Sequence, residues 1–219
     1  MGLALSGFPY FRGNLRRELP QIVSRTGWDR TECDIRLLCM HQIVQGATVG
    51  IHDFTFTRGS DVIPCDALPR HFAAVLAGHV HRFQVLGNAQ PGGPPACPVF
   101  YPGSTARTSF AERKEQKGYL LLEMIPTECG KGAVDGWRFQ PLPCRPMEVL
   151  DVPVTGRRVS QLLPGIIERL NGLDADSIVR LRITGIPEPS VRDVLTSRSL
   201  RALAPPTMTI DLRWVRHHT

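Results

Sequence analysis

The sequence predicts a mixed chain of the α/β class in two domains, the second with α+β character. Two observations carry this expectation. The apolar runs of the first two thirds are short, nearly continuous and closed by Gly or Pro, as in strands buried on both faces of a sheet. After about residue 145 the pattern changes to helical spacing and strict alternation, the mark of a small α+β domain with a half-exposed sheet. The composition is consistent with this: 219 residues, 42% hydrophobic and 21% charged, lie outside the regime of disorder. That length accommodates one large domain, or a medium one and a small one.

In chain order, Ile35–Met40 reads as a strand ending on His41. Phe72–Ala77 is a second strand, ending on Gly78-His79. Val99-Phe100-Tyr101 is a third, stopped by Pro102-Gly103, and Gly118–Ile125 is a fourth. Trp137–Leu142 is a fifth, and Gln90–Pro95 is a loop by composition. The proline-rich stretch Pro141–Pro146 places a boundary, giving domains 1–144 and 145–219. In the second, Glu148–Val152 reads as a strand. Val159, Leu162, Leu163, Ile166, Ile167 and Leu170 recur at helical spacing, with Pro164 expected near the helix start. Ile178–Thr184 alternates, Ser190 is a candidate cap for a helix through Leu195, and Met208–Trp214 alternates again. The order is β-α-β-α-β, and no internal repeat is evident.

The net charge of +6 divides evenly: 15 basic and 12 acidic side chains in residues 1–144, 11 and 8 in the rest. With no basic arm, the charge permits a nucleic-acid partner without demanding one. No run of about 18 apolar residues occurs, which excludes a transmembrane helix, and the first residues lack the features of a secretory signal. The six cysteines form no C-x-x-C pair, so neither a zinc ribbon nor a dithiol redox motif is written, and a reduced, cytoplasmic setting is expected.

The histidines carry the chemistry. His41 follows one apolar strand, and His79 and His81 follow another as Gly78-His79-Val80-His81. Side chains at the C-terminal ends of strands in an α/β sheet converge on one edge, where ligands bind. Imidazole is a ligand for first-row metals, and a glycine before the pair lets the two rings face different ions. A surface or core pair is the competing assignment. His52, in a polar turn, and His71, before a strand, are expected to be exposed or packed in loops, and His217-His218 lie at the terminus.

Longer strings add a resemblance. Leu37–Gln42 is similar to the single-histidine motif of the calcineurin-like metallophosphoesterases, and Ala74–Arg82 resembles their Gly-His-x-His motif. Val99–Glu112, followed by Lys117-Gly118-Tyr119, resembles the Tyr-Pro-Gly-Ser…Arg-Thr-Ser-Phe segment of the SbcD-like DNA repair exonuclease branch. The resemblance implies the C-terminal part of a four-layer β-sandwich flanked by helices, followed by a small cap domain. It implies two divalent metals, with His41 and His79 on one and His81 on the other. Manganese is the implied ion, and iron or zinc suits the same donors. It further implies a DNA or small phosphoester substrate and an SbcC-like ATPase partner. Arg82 and Arg107 become candidate phosphate contacts, against ordinary ion pairs. Tyr101 and Ser104 border the implied site, against a turn-forming role. The arginine face of the second domain (Arg180, Arg182, Arg213) becomes a candidate contact for a nucleic-acid backbone, against a solvated sheet face.

The sequence also departs from that pattern. The Asp-x-His, Gly-Asp and Gly-Asn-His-Asp motifs, which carry the bridging carboxylate and the acid histidine, are not found. Gly13-Asn14 is followed by Leu15-Arg16, and Leu5–Arg12 resembles the family's segment just C-terminal to the Gly-Asn-His-Asp motif. The expectation is a domain lacking its N-terminal motifs, one weak metal at most, and little hydrolysis by this chain alone. Two function classes stay open: a metal-dependent phosphoesterase of the exonuclease type, and a non-catalytic relative that binds nucleic acid or a partner.

Overall fold

The computed structural model describes residues 1–87, 93–128 and 130–215, so His217, His218, Cys129 and part of the 90–95 loop lie outside the described residues. The chain divides into two compact units, Met1–Cys144 and Arg145–Thr219. It is a mixed α/β protein with four α-helices among the described residues and several sheets. No helix among them is long and apolar enough to cross a membrane.

The first unit runs β1 (Leu3–Phe8), α1 (Leu15–Arg25), β2 (Ile35–Met40), β3 (Ile43–Val44), β4 (Thr48–Val49), β5 (Phe54–Thr55), β6 (Val62–Ile63), β7 (Ala74–Ala77), β8 (Gln84–Leu86), β9 (Val99–Tyr101), β10 (Gly118–Ile125) and β11 (Ala133–Pro141). Its central sheet has the order β1-β2-β7-β9-β8. The first four strands are parallel and β8 pairs antiparallel at the edge. Both faces are covered, which is why β2, β7 and β9 read as continuous apolar runs. Leu38, Met40, Val75, Ala77 and Tyr101 pack into the larger core with Leu15, Leu19 and Val23 of α1. Ile35, Leu37, Ala74 and Phe100 face the other way, against Leu120, Leu122 and Met124 of the β10–β11 hairpin and Val134.

Two of these elements differ from expectation in extent. β7 begins at Ala74 rather than Phe72, because Phe72 and Ala73 are buried before the ladder starts. β11 begins at Ala133 rather than Trp137, since the hairpin carries the pairing out to Ile125–Ala133. β1 and α1 were not legible as elements. β1 is an edge strand with alternating half-burial, and α1 contains Pro20 and several arginines. Three apolar residues at i, i+4 and i+8 (Leu15, Leu19, Val23) anchor α1, and the Asn14 side chain caps it by accepting from the Arg17 N–H at 3.3 Å.

The second unit runs β12 (Met147–Pro153), α2 (Val159–Asn171), β13 (Ile178–Thr184), α3 (Pro189–Val194), α4 (Ser197–Leu203) and β14 (Thr209–Trp214). The order is therefore β-α-β-α-α-β, with one more helix than the sequence pattern predicts. The Thr196 side chain caps α4 by accepting from the Ser199 N–H at 3.1 Å, a local signal hidden in a polar stretch. Ser190 lies inside α3, whose cap is Glu188. Pro164 also lies inside α2 rather than at its start; lacking an N–H, it leaves one carbonyl of the first turn without a helical donor. The three strands are all parallel, in the order β12-β13-β14. One face packs Val152, Val179, Leu181, Ile183 and Ile210 against Leu162, Ile166 and Leu170 of α2 and against Val191 and Leu200.

The other face carries the arginines: Arg182 and Arg180 each meet an aspartate on a neighbouring strand, and Arg213 meets Asp211 on its own strand. Arg182 grips Asp151 with two bonds of 2.6 and 2.7 Å. Arg180 donates to Asp211 at 2.7 Å, and Arg213 lies 3.1 Å from the same carboxylate. The face expected as a backbone-binding candidate is thus a ladder of ion pairs between neighbouring strands.

Candidate functional site

The C-terminal ends of β2 and β7 are adjacent in the sheet, so the residues that follow them meet at one edge. His41 follows Met40, and Gly78-His79 follow Ala77. The Gly78 N–H donates to the Met40 carbonyl at 2.8 Å, which holds the two turns side by side. The His41 and His79 rings stand edge to face with centroids 5.2 Å apart.

Two backbone features make this approach possible. A Cβ at Gly78 would lie 2.6 Å from His41 Nδ1, so any side chain there would expel the imidazole. His79 has φ of +77°, a left-handed conformation that costs a residue with a Cβ about 1–2 kcal/mol. Strain of this kind persists where the surrounding structure over-determines it, commonly at functional sites.

The electrostatics suit a ligand role. Partial burial, then the neighbouring His41 and, less strongly, His81, hold the His79 pKa below the ordinary histidine value, opposed by the charge of Asp61. Tyr10, from the segment after β1, stacks on His79 at 5.2 Å with the rings 4° apart, and Arg12 lies 6.0 Å from the Tyr10 ring. Nothing in the sequence pattern marked Tyr10 beyond its place in the Leu5–Arg12 string.

His81 is held apart from this pair. Its Nδ1 lies 3.1 Å from Glu112 Oε1 and 3.2 Å from Thr108 Oγ1. The ring is half exposed. Behind it sits a knot of buried charge. Lys117, fully buried, places Nζ 2.8 Å from Glu112 Oε2, 2.9 Å from Glu115 Oε2 and 2.7 Å from the His81 carbonyl. Those three acceptors match the three protons of the ammonium. Burial by itself raises the Glu112 carboxyl, but hydrogen bonds from Lys117, then Thr108 and His81, overcome it and hold the pKa at about 2. Glu112 and Lys117 stood inside the string quoted for the resemblance; their burial and their contact with His81 were not readable there.

The remaining candidates fall into structural roles. Tyr101 is not at the surface of any site: it is fully buried, its hydroxyl donates to the Gln42 carbonyl at 2.9 Å and accepts from the Val44 N–H at 2.8 Å. It braces the turn after His41, and burial pushes its pKa up. Arg82 is engaged throughout. Nε donates to Glu115 at 3.1 Å, Nη1 to Asp53 at 2.5 Å, and Nη2 to the Gly50 carbonyl. Such an arginine ties loops together rather than waiting for a phosphate. Ser104 Oγ donates to the Ala106 carbonyl at 2.8 Å, a turn contact, and Arg107 Nε donates to the Glu115 carbonyl at 3.1 Å. The Pro102-Gly103 turn does reach the histidine loop: the Ser104 N–H donates to the His81 carbonyl at 3.2 Å. Gly103 has φ of +77°, and a Cβ there would lie 2.8 Å from the same carbonyl oxygen. His52 is exposed, and His71, also exposed, stacks on Trp28 at 4.5 Å.

As a donor set for a divalent metal, these residues fit in kind, since neutral imidazole nitrogen suits manganese, iron or zinc. In number they offer two neighbouring rings, on His41 and His79, and a third, separately directed, on His81. Among the described residues no group of three or more His, Cys, Asp or Glu converges to hold an ion. No family model matches this chain, and no curated protein sequence matches it.

Proposed function

We propose that the first unit carries the histidine part of a dinuclear metallophosphoesterase centre of the DNA repair exonuclease type, with phosphodiesters as substrate class. The observation that supports this best is the pairing of His41 and His79 at the ends of adjacent parallel strands, 5.2 Å apart and dependent on a glycine at 78. His41 and His79 would hold one divalent ion and His81 a second. Such ions polarise a phosphoryl oxygen and generate hydroxide from bound water. The chain's own contribution is to seat His41 against Gly78, to hold His79 under the Tyr10 ring, and to fix the His81 ring from behind. A protein of this class works on DNA in the cytoplasm, with an SbcC-like ATPase as the partner the resemblance implies.

A second reading, a non-catalytic metal- or partner-binding module, is favoured by the lack of any third His, Cys, Asp or Glu beside His41 and His79 among the described residues. One experiment separates them. The purified chain is titrated with manganese(II) and tested for hydrolysis of bis(p-nitrophenyl) phosphate, beside His41→Ala and His79→Ala. Manganese binding weakened at least tenfold in both variants, with turnover that disappears with it, supports the phosphoesterase. Binding without turnover supports the module. Binding equal in all three proteins contradicts both assignments of the pair.

A further inference from the structure

The Gly-His-Val-His loop gives its second histidine an environment unlike that of its first. His79 has ring contacts with Tyr10 and His41, whereas His81 is gripped on one nitrogen by a carboxylate that cannot turn away.

The hydrogen-bond arithmetic around Glu112 decides which nitrogen of His81 carries the proton. Glu112 is 9% exposed. Its Oε2 faces the Lys117 ammonium at 2.8 Å and accepts from the Thr108 N–H at 3.4 Å. Its Oε1 accepts from the Thr108 hydroxyl at 2.8 Å and the Ser109 hydroxyl at 3.3 Å. Every partner is a donor, so the carboxylate presents only acceptor lone pairs. Lys117 is itself saturated by Glu112, Glu115 and the His81 carbonyl. Thr108 has spent its one hydroxyl proton on Glu112, which leaves its oxygen able only to accept. The two atoms facing His81 Nδ1 are therefore both acceptors, and the contact is satisfied only when Nδ1 is the N–H.

We propose that Glu112, locked by Lys117 and Thr108, is a positioning residue that holds His81 as the Nδ1–H tautomer and so leaves Nε2, which has no partner among the described residues, as the metal-ligating nitrogen. This rests on the phosphoesterase reading for the identity of the ligand as a divalent metal. The tautomer itself follows from the hydrogen bonds alone. Carboxylate partners of this kind fix the tautomer and orientation of ligating histidines, and their loss costs metal affinity about 10–100-fold.

The substitution Glu112→Gln tests it with little change of shape. The Lys117 ammonium draws the amide oxygen to itself, which turns the amide NH2 toward His81. A donor now faces Nδ1, so the proton moves to Nε2, the nitrogen that would bind metal.

Two readouts are needed, both on the full chain. The first is the pair of His81 ring 15N shifts in metal-free protein, from long-range 1H–15N correlation at a pH where the ring is neutral. The second is the affinity for cobalt(II) alone by calorimetry, with His81→Ala as the reference for loss of the ligand. Expected are a protonated Nδ1 in the natural chain, a protonated Nε2 in Glu112→Gln, and cobalt affinity reduced about 10–100-fold. Thr108→Val, which leaves every charge in place, is expected to lower affinity a few-fold. A protonated Nε2 in the natural chain overturns the proposal without recourse to any variant. So does cobalt binding that depends on His81 and is unchanged by Glu112→Gln. If the natural chain binds no cobalt, the phosphoesterase reading fails first and the ligand role of His81 falls with it, a result distinct from the other two.

Discussion

The two units make the same kind of contact in opposite surroundings. In the first, Lys117 meets Glu112 and Glu115 at 2.8 and 2.9 Å with its side chain fully buried and theirs about one-tenth exposed. In the second, Arg182 meets Asp151 at 2.6 Å with both side chains about half exposed. Distance alone would rank the second pair as the stronger. Environment reverses the ranking: water screens the surface ladder, while the buried knot feels its charges at low dielectric and cannot lose one without leaving another short of a compensating charge. The difference is also functional. The ladder on the second unit's sheet joins strand to strand and neutralises most of the arginine face, whereas the buried knot ends on the side chain and carbonyl of His81.

The comparison breaks most visibly at Lys117. Lys117→Met takes the ammonium from two buried carboxylates, leaving Glu115 with Arg82 and Glu112 with the Thr108, Ser109 and His81 donors, and is expected to cost about 3–5 kcal/mol in urea unfolding of the first unit. A cost no larger than that of a surface substitution would remove the distinction drawn between the two networks. Next comes pH. The free carboxyl titrates near 4.5 and the folded Glu112 near 2, so the unfolded chain binds the proton first. The stability Glu112 contributes is complete above about 4.5 and is lost as the pH falls toward 2, on the order of 2–3 kcal/mol. The urea midpoint of the natural chain should fall across that window more steeply than that of Glu112→Gln.

Tyr101→Phe gives a smaller effect of a different kind. It strands the Gln42 carbonyl and the Val44 N–H, and about 1–3 kcal/mol is expected from the same unfolding measurement, with amide exchange rising at Val44. The smallest effect is in the second unit. Asp151→Asn should leave the urea midpoint unchanged within error, and added salt should not distinguish it from the natural chain. A large loss there would mean that the ladder, too, is shielded from water.

How much of this was legible depended on whether a residue's role is local. The strands β2, β9, β10, β12 and β13 were readable because burial on one or both faces writes directly into apolar pattern. The edge strand β1 and the proline-bearing α1 were not, because half-burial and a helix-breaking residue blur the same pattern. Of the site, His41, His79 and His81 were legible as strand-end residues. Tyr101 and Arg82 stayed open between a substrate contact and a structural role, since adjacency to a loop in sequence does not reveal that a hydroxyl or a guanidinium is already spent inside the fold. Glu112 and Lys117 look like ordinary surface charges in a polar string, and only the return of residues 108–117 onto the His81 turn buries them.

The central claim is that His41 and His79 act together on one divalent ion. Manganese(II) binding followed by electron paramagnetic resonance, for the natural chain and for Gly78→Ala, tests it most directly, because the added Cβ would lie 2.6 Å from His41 Nδ1 and dislodges the ring without removing either ligand. The account predicts manganese affinity at least tenfold weaker in Gly78→Ala, with the fold of the first unit retained. Equal manganese affinity in the two folded proteins would contradict it.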